Sequence, residues 1–379
     1  MIKERIRYII SKIITPIAYL FPIKKNRVIF KSYDLKYNCN TKYMCEYLNK
    51  NHKNEFELIY VTKNNTNNEQ FREKGIKFCK VKFLKYHYYM FTSKFIFVNN
   101  AYPQYLPKKE NQIVIYTNHG IDLFKNLQFS EELDVFFHEQ YKKIDRFLFS
   151  SKLDAKNGKN KYRCNEDRMM YCGFPRVTPF FDPTFNNNCK NSVKNTLGIE
   201  QNKKMILYAP TFRANHEKKF LEDDFSKIIS ACEKRFGGKF VILNRDHNFT
   251  LLDDGKKYEF NQKIYECNII EDSQELIGAS DVIISDYSSI IWDASFSKNP
   301  CFLYIYDYED YTKTWSFFTD INKWPFPKAK NIDDFCNLIL EYNEQEYNKK
   351  IKEFYDYIGL YENGTACEQI YDYMITNKK

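Results

Sequence analysis

Apolar residues in this chain fall into short runs separated by amphipathic stretches. Runs rich in β-branched and aromatic residues predict strands at Arg27–Lys31, Phe56–Thr62, Ile76–Lys80, Phe95–Val98, Ile113–Thr117 and Arg146–Ser150. Helical patterns lie between them, as at Thr41–Asn51 and Phe83–Phe91. A polar, Asn-rich stretch, Phe185–Lys204, reads as a linker, and the alternation then restarts. Strands are predicted at Met205–Ala209, Lys239–Asn244, Cys267–Ile270, Val282–Ser285 and Cys301–Tyr304. Helices are predicted at Asp223–Phe236, Ser273–Ala279, from Ser288, at Ile332–Tyr342 and near the C-terminus. Alternation of this kind argues for parallel sheets wrapped by helices. The chain is therefore read as α/β, with two similar domains and a cleft between them. The divisions are an arm over 1–24, an N-terminal domain over 25–184, a linker over 185–204 and a C-terminal domain over 205–379. The last helix is left open to pack back on the N-terminal domain.

A length of 379 residues suits two domains, and 43% apolar content is enough to build their cores. The composition is neither disordered nor collagen-like. Charge changes the picture at one place. Residues 1–31 carry eight basic side chains (Lys3, Arg5, Arg7, Lys12, Lys24, Lys25, Arg27, Lys31) against Glu4 alone, which covers most of the net +9. Ile2, Ile6, Ile9 and Ile13 recur at helical spacing beside those bases, the pattern of a helix lying in an anionic membrane surface. The alternative is a helix packed on the protein's own body with a solvated basic edge. The apolar stretch Ile13–Ile23 is interrupted by Thr15, Pro16 and Pro22 and no small-x-small site follows it, so it does not read as a secretory signal. It is also shorter than the about 20 residues that span a bilayer. Eleven cysteines are scattered singly without a CxxC pair, which favours free, mostly buried thiols over disulfides or zinc. Nucleic acid is not the expected partner, because the bases cluster in one apolar-striped arm without an RNP-like or helix-turn-helix pattern.

Three groups stand where predicted strands end, the place at which ligands bind in such sheets. Tyr116-Thr117-Asn118-His119-Gly120 offers a histidine able to accept a proton near neutral pH and a glycine expected to permit a tight turn. The same histidine could equally be one hydrogen-bonded within a loop. Leu243-Asn244-Arg245-Asp246-His247 offers charge and donors for phosphate oxygens, or merely surface charge. Ser280-Asp281-Val282-Ile283-Ile284-Ser285-Asp286-Tyr287-Ser288-Ser289 reads as a buried strand ending in a polar turn, with a helix opening at or beside Ser288 and Ile290, Ile291 and Ala294 expected to face inward. Ser288 and Ser289 supply hydroxyls and backbone N–H groups to a phosphate, or form a plain N-cap.

The stretch Ser285–Tyr311, with Asp-Tyr-Ser-Ser, Asp293, Asn299-Pro300 and Tyr306-Asp307-Tyr308-Glu309-Asp310-Tyr311, resembles the signature of the CDP-glycerol glycerophosphotransferases of teichoic acid and capsule synthesis. Four further matches fall in that family's order. His119-Gly120 resembles His-Gly-Thr-Pro-Leu-Lys, and Gly173-Phe174-Pro175-Arg176 resembles Gly-Tyr-Pro-Arg. Tyr208-Ala209-Pro210-Thr211-Phe212-Arg213 resembles Tyr-Ala-Pro-Thr-Trp-Arg, and Arg245-x-His247 resembles Arg-x-His. Two departures touch the acceptor side. Ile121-Asp122-Leu123-Phe124 replaces Thr-Pro-Leu-Lys, with lysine displaced to Lys125, and Val177-Thr178 replaces the usual Asn-Asp.

The resemblance implies a GT-B-like fold, in which two Rossmann-type domains turn parallel sheets toward a central cleft. It implies attack by an acceptor hydroxyl on the β-phosphorus of CDP-glycerol, with CMP released. His119 is the expected general base, and His247 the second catalytic residue. Gly120, Arg176, Pro210, Thr211, Arg245, Asp246, Ser288, Ser289 and Asp293 are expected to bind the donor. A lipid-linked glycerol-phosphate or saccharide acceptor and an anionic membrane surface are the other expected partners, at the cytoplasmic face of the cell membrane. No acidic metal-binding motif stands out, so no tightly bound cofactor is expected, with weakly held Mg²⁺ left open. A CDP-ribitol donor fits every motif equally, and a nucleotide-sugar glycosyltransferase would share the architecture.

Overall fold

The structure is a computed structural model describing residues 2–63, 74–81, 84–123, 125–126, 131–211, 222–245 and 263–378. The chain divides into two compact units. The first comprises Met1–Asp122, Phe129–Thr178 and Leu360–Lys379, and the second Leu123–Gln128 and Pro179–Gly359.

The first unit is built on a seven-stranded sheet in the spatial order Lys77–Lys80, Glu57–Thr62, Lys24–Lys31, Ser93–Val98, Ile113–Tyr116, Arg146–Leu148, Met169–Met170. Every neighbouring pair runs parallel. Val28, Ile29 and Phe30 are fully buried, as is each residue of Phe95–Val98. These continuous apolar runs are what a parallel sheet covered on both faces requires. Tyr116, Tyr141, Phe147 and Tyr162 close the core beneath one end of the sheet, with Phe147 and Tyr162 stacked at 5.1 Å.

The second unit repeats the plan with six parallel strands in the order Ile264–Glu266, Lys239–Asn244, Lys203–Tyr208, Val282–Ser285, Cys301–Tyr304, Lys328–Ala329. Numbered along the chain, both sheets follow the Rossmann order 3-2-1-4-5-6, the first carrying one extra strand. In each, the order reverses between the first and fourth strands, and there the carboxyl ends open a crevice. None of the eleven cysteines forms a disulfide, and nine are buried.

Two expectations need correction. Residues 185–204 are not a linker: Phe185–Leu197 is a helix ended by Gly198 at φ +69°. Its polar composition hides a stripe at four-residue spacing, Phe185, Cys189, Val193 and Leu197, of which Cys189 and Val193 are buried. Cys189 and Phe185 lie against Gly278 of the helix Ser273–Ala279. Cys267–Ile270 is a turn rather than a strand. The strand is Ile264–Glu266, and Ile270 N–H bonds back to the Cys267 carbonyl at 3.0 Å.

Gly173 shows why one motif takes the form it does. It sits at φ +82°, and a Cβ built there would collide with the Glu362 carboxylate, which accepts the Phe174 N–H at 2.8 Å. Gly173→Ala should cost about 2–3 kcal/mol of unfolding free energy, since strain and collision act together. Gly198→Ala, at φ +69° with open space around it, should cost only about 1 kcal/mol. Urea denaturation of the two variants checks the difference.

Candidate active site

In the first unit the strand Ile113–Tyr116 delivers Thr117–Gly120 to its carboxyl end. The left-handed residue of this turn is Asn118, at φ 55°, and not Gly120, whose surroundings would admit a Cβ. Asn tolerates that conformation because its short side chain can bond the local backbone. Here Asn118 Oδ1 accepts from His119 N–H at 2.8 Å and Gly120 N–H at 3.1 Å.

His119 stacks on Tyr33 with ring centroids 4.8 Å apart. Its Nδ1 lies 2.9 Å from the Asn99 carbonyl. A carbonyl only accepts, so Nδ1 carries the proton and the neutral ring keeps its lone pair on Nε2. Burial lowers the His119 pKa, the Arg176 and Lys161 charges lower it further, and the Asn99 bond and Asp122 oppose them. The Asn99 bond is the largest of the opposing effects. With Nδ1 committed to that carbonyl, Nε2 is the ring nitrogen open to accept a proton.

Behind the turn lies a closed polar network. Asn118 Nδ2 donates to the Tyr162 hydroxyl (3.0 Å), which donates to Asp122 (2.6 Å); Lys161 pairs with Asp122 at 2.6 Å. Asp154 accepts from Asp122 N–H at 2.9 Å, from Ser150 N–H at 2.8 Å and from the Ser150 hydroxyl at 3.0 Å. Burial, and then Asp122, push the Asp154 carboxyl up to about 7. Asn40 donates to the Thr117 and Asn118 carbonyls at 2.7 and 2.9 Å and accepts from Arg176 N–H at 3.0 Å. Arg176 is buried, with its guanidinium on the Gly120 carbonyl (3.2 Å) and over the Phe174 ring. The Gly-Phe-Pro-Arg motif thus braces the His119 turn.

In the second unit the strands Lys203–Tyr208 and Val282–Ser285 carry Pro210-Thr211 and Asp286–Ser289 to the switch point. Asp286 is buried, and its Oδ1 accepts from Thr211 N–H (2.8 Å), Thr211 Oγ1 (2.6 Å) and Tyr287 N–H (2.6 Å). The Ser285 hydroxyl donates to the Ala209 carbonyl at 2.7 Å, a second tie between the same turns. Tyr287 is fixed by stacking on Tyr311 at 3.9 Å and by a 3.1 Å bond to Asp307. Ser288 and Ser289 are half-buried ahead of the short helix Ile290–Ser295, in which Ile291 and Ala294 are buried and Ile290 only half so.

Arg245 leaves the neighbouring strand Lys239–Asn244 with its guanidinium on the Ile270 and Glu271 carbonyls, at 3.0 and 3.2 Å. Asp293 is buried and accepts from Gln274 at 2.8 Å. Asp246 and His247 lie outside the described residues, as do Phe212, Arg213 and Phe124.

The site residues expected from sequence therefore form two groups. His119, Gly120 and Arg176 share one strand-end cluster. Pro210, Thr211, Arg245, Ser288 and Ser289 stand at strand ends of the second unit, with Asp293 on the helix that follows. Sequence reasoning missed Asn40, Asn99 and Asp286, which fix these turns. Among the described residues, no group of three or more His, Cys, Asp or Glu side chains is placed to hold a metal.

The chain is similar to known proteins along nearly its whole length. Residues 13–376 match the family model described as CDP-glycerol:poly(glycerophosphate) glycerophosphotransferase. The teichoic acid poly(glycerol phosphate) polymerase of Bacillus spizizenii is 27% identical over 97% of this chain and 96% of its own length. The teichoic acid ribitol-phosphate polymerase TarK of Staphylococcus aureus is 26% identical over 96% of this chain and 71% of its own. A solved structure of the wall teichoic acid polymerase TagF superposes with a TM-score of 0.79 at 24% identity, covering 94% of this chain and 90% of that one, so the fold is GT-B-like.

Asp286→Ala should lower stability by about 2–4 kcal/mol, because it removes a charged acceptor from three donors at once, the buried Tyr287 N–H and two half-buried groups of Thr211. Asp293→Ala removes the acceptor of the buried Gln274 amide and should cost about 1–2 kcal/mol. Thermal melts of the two variants check the ranking.

Proposed function

We propose that this chain, which belongs to the CDP-glycerol:poly(glycerophosphate) glycerophosphotransferase family, moves glycerol phosphate from CDP-glycerol to a hydroxyl of a membrane-linked teichoic-acid-like or capsular acceptor. The observation that carries the reading is His119, with Nδ1 fixed on the Asn99 carbonyl and Nε2 left to act as base. Nε2 takes the proton of the acceptor hydroxyl as its oxygen bonds to the β-phosphorus. The bond from that phosphorus to the bridging oxygen breaks, and CMP leaves with the electron pair. Arg245, Ser288 and Ser289, with His247 by motif, hold the pyrophosphate and offset the charge that develops on CMP, and Asp246 is assigned by motif to binding elsewhere on the donor. Gly120, Arg176, Pro210, Thr211 and Asp293 support the donor through the turns they form. Phosphoryl transfer draws mainly on positioning and electrostatics, which such groups supply without a tightly bound cofactor.

CDP-ribitol is the second reading for the donor, favoured by the similarity to TarK along 96% of this chain. The basic N-terminal arm is assigned to an anionic membrane surface, which places the enzyme at the cytoplasmic face of the membrane beside its lipid-linked acceptor. Among the described residues no helix is long and apolar enough to cross a membrane.

His119→Ala should reduce turnover by roughly 10²–10⁴-fold, the range for a lost general base, while donor affinity stays within about two-fold. Steady-state rates and calorimetric titration of CDP-glycerol check both halves. Turnover within a few-fold of wild type would make His119 a structural residue and remove the proposed base.

A further inference from the structure

The N-terminal helix Ile2–Tyr19 carries two neighbouring apolar stripes. Ala18 is fully buried, and Ile14 and Phe21 pack against the core of the first unit. Ile10, Ile13, Ile17 and Leu20 repeat at three, four and three residues and face solvent. Ile13 is 60%, Ile17 45% and Leu20 79% exposed. A helix already docked by one side does not need a second apolar stripe to fold. A contiguous exposed apolar face of this kind marks an interaction surface.

Where the helix ends, Tyr19, Phe21, Lys25, Lys94, Lys109 and Glu110 help to line a cavity of about 550 Å³. Lys109 and Lys94 are each 6% exposed. Lys109 Nζ donates to the Ala18 and Phe21 carbonyls at 3.3 and 2.6 Å, closing the helix C-terminus. Burial first, and then the Lys25 charge, lowers the Lys94 pKa. Three cations thus converge on a cavity with one acid, and an anion placed among them relieves their repulsion. Tyr19, exposed at the junction of stripe and cavity, is the kind of residue that sits at headgroup level in membrane interfaces.

We propose that this cavity takes the phosphate of an anionic phospholipid headgroup while the Ile10, Ile13, Ile17 and Leu20 stripe lies among the acyl chains around it. The inference rests on the membrane contact proposed above and adds a headgroup site to it. An acidic peptide would match the charge but leave the aliphatic stripe in water, whereas a lipid surface satisfies both at one depth.

The test sediments the full chain with vesicles of phosphatidylcholine alone and of phosphatidylcholine mixed with phosphatidylglycerol. Wild type should bind the mixed vesicles and bind the neutral ones far more weakly. Lys25→Glu combined with Lys94→Gln should weaken binding to mixed vesicles by about tenfold or more. Ile13→Ser combined with Ile17→Ser, at exposed positions, should do the same. Transfer to a short soluble acceptor should stay at the wild-type level in both variants, which reads the catalytic proposal separately. Equal binding to the two vesicle types, or a lysine variant that binds like wild type, overturns the proposal. Displacement by inorganic phosphate beyond a salt-matched chloride control assigns the cavity to a free anion and overturns it as well. An equal fall in soluble-acceptor transfer in both variants means that the substitutions act through folding, and the headgroup site is then rejected too.

Discussion

A parallel strand ends in a turn whose backbone N–H groups no neighbouring strand can pair, and in both units one short acceptor side chain makes up that deficit. Asn118 Oδ1 takes the N–H groups of His119 and Gly120. Asp286 Oδ1 takes those of Thr211 and Tyr287, with the Thr211 hydroxyl besides. Each acceptor is buried, and each of these bonds contributes on the order of 1 kcal/mol, most at Tyr287, whose N–H is itself buried. The turns are therefore held in one conformation, and the groups assigned to chemistry inherit that rigidity.

The two turns suit different tasks. Around His119, the Asn99 carbonyl sets the tautomer, and burial, then Arg176 and Lys161, lower the pKa of the ring, an arrangement compatible with the base role proposed for it. Around Ser288 and Ser289, Asp286 turns its negative charge inward onto Thr211 and Tyr287. That leaves half-buried hydroxyls, with Arg245 on the next strand, as the polar groups at the switch point. The proposed reaction assigns the base to one unit and the phosphate-binding groups to the other, and phosphoryl transfer draws on positioning and electrostatics of these kinds.

Much of the fold was legible because buried parallel strands leave unbroken apolar runs. Phe95–Val98 and Lys239–Asn244 coincide with observed strands or lie within them. Legibility fails where the signal is sparse. The helix Phe185–Leu197 carries four apolar residues in thirteen, and its Asn, Lys and Ser content reads as a linker. The edge strand Ile264–Glu266 is three residues long, and the more apolar Cys267–Ile270 beside it is a turn with Ile269 exposed. At the site, the motifs lead to His119, Ser288 and Ser289 because their side chains have evident chemistry. They do not lead to Asn40, which bonds Arg176 across 136 residues of chain, and they contain Asp286 without revealing its tie to Thr211 across 75. Gly120 draws attention as a turn former, yet the left-handed position belongs to Asn118, since either residue type can fill it.

The central claim is the transfer of glycerol phosphate from CDP-glycerol, and a donor competition tests it most directly. The protein is incubated with a lipid-linked acceptor and an equimolar mixture of CDP-glycerol, CDP-ribitol and UDP-sugars, and products are read by mass spectrometry. The account predicts release of CMP together with acceptor extended by glycerol phosphate. Release of UDP with a glycosylated acceptor, or consumption of CDP-ribitol in preference to CDP-glycerol, would contradict it.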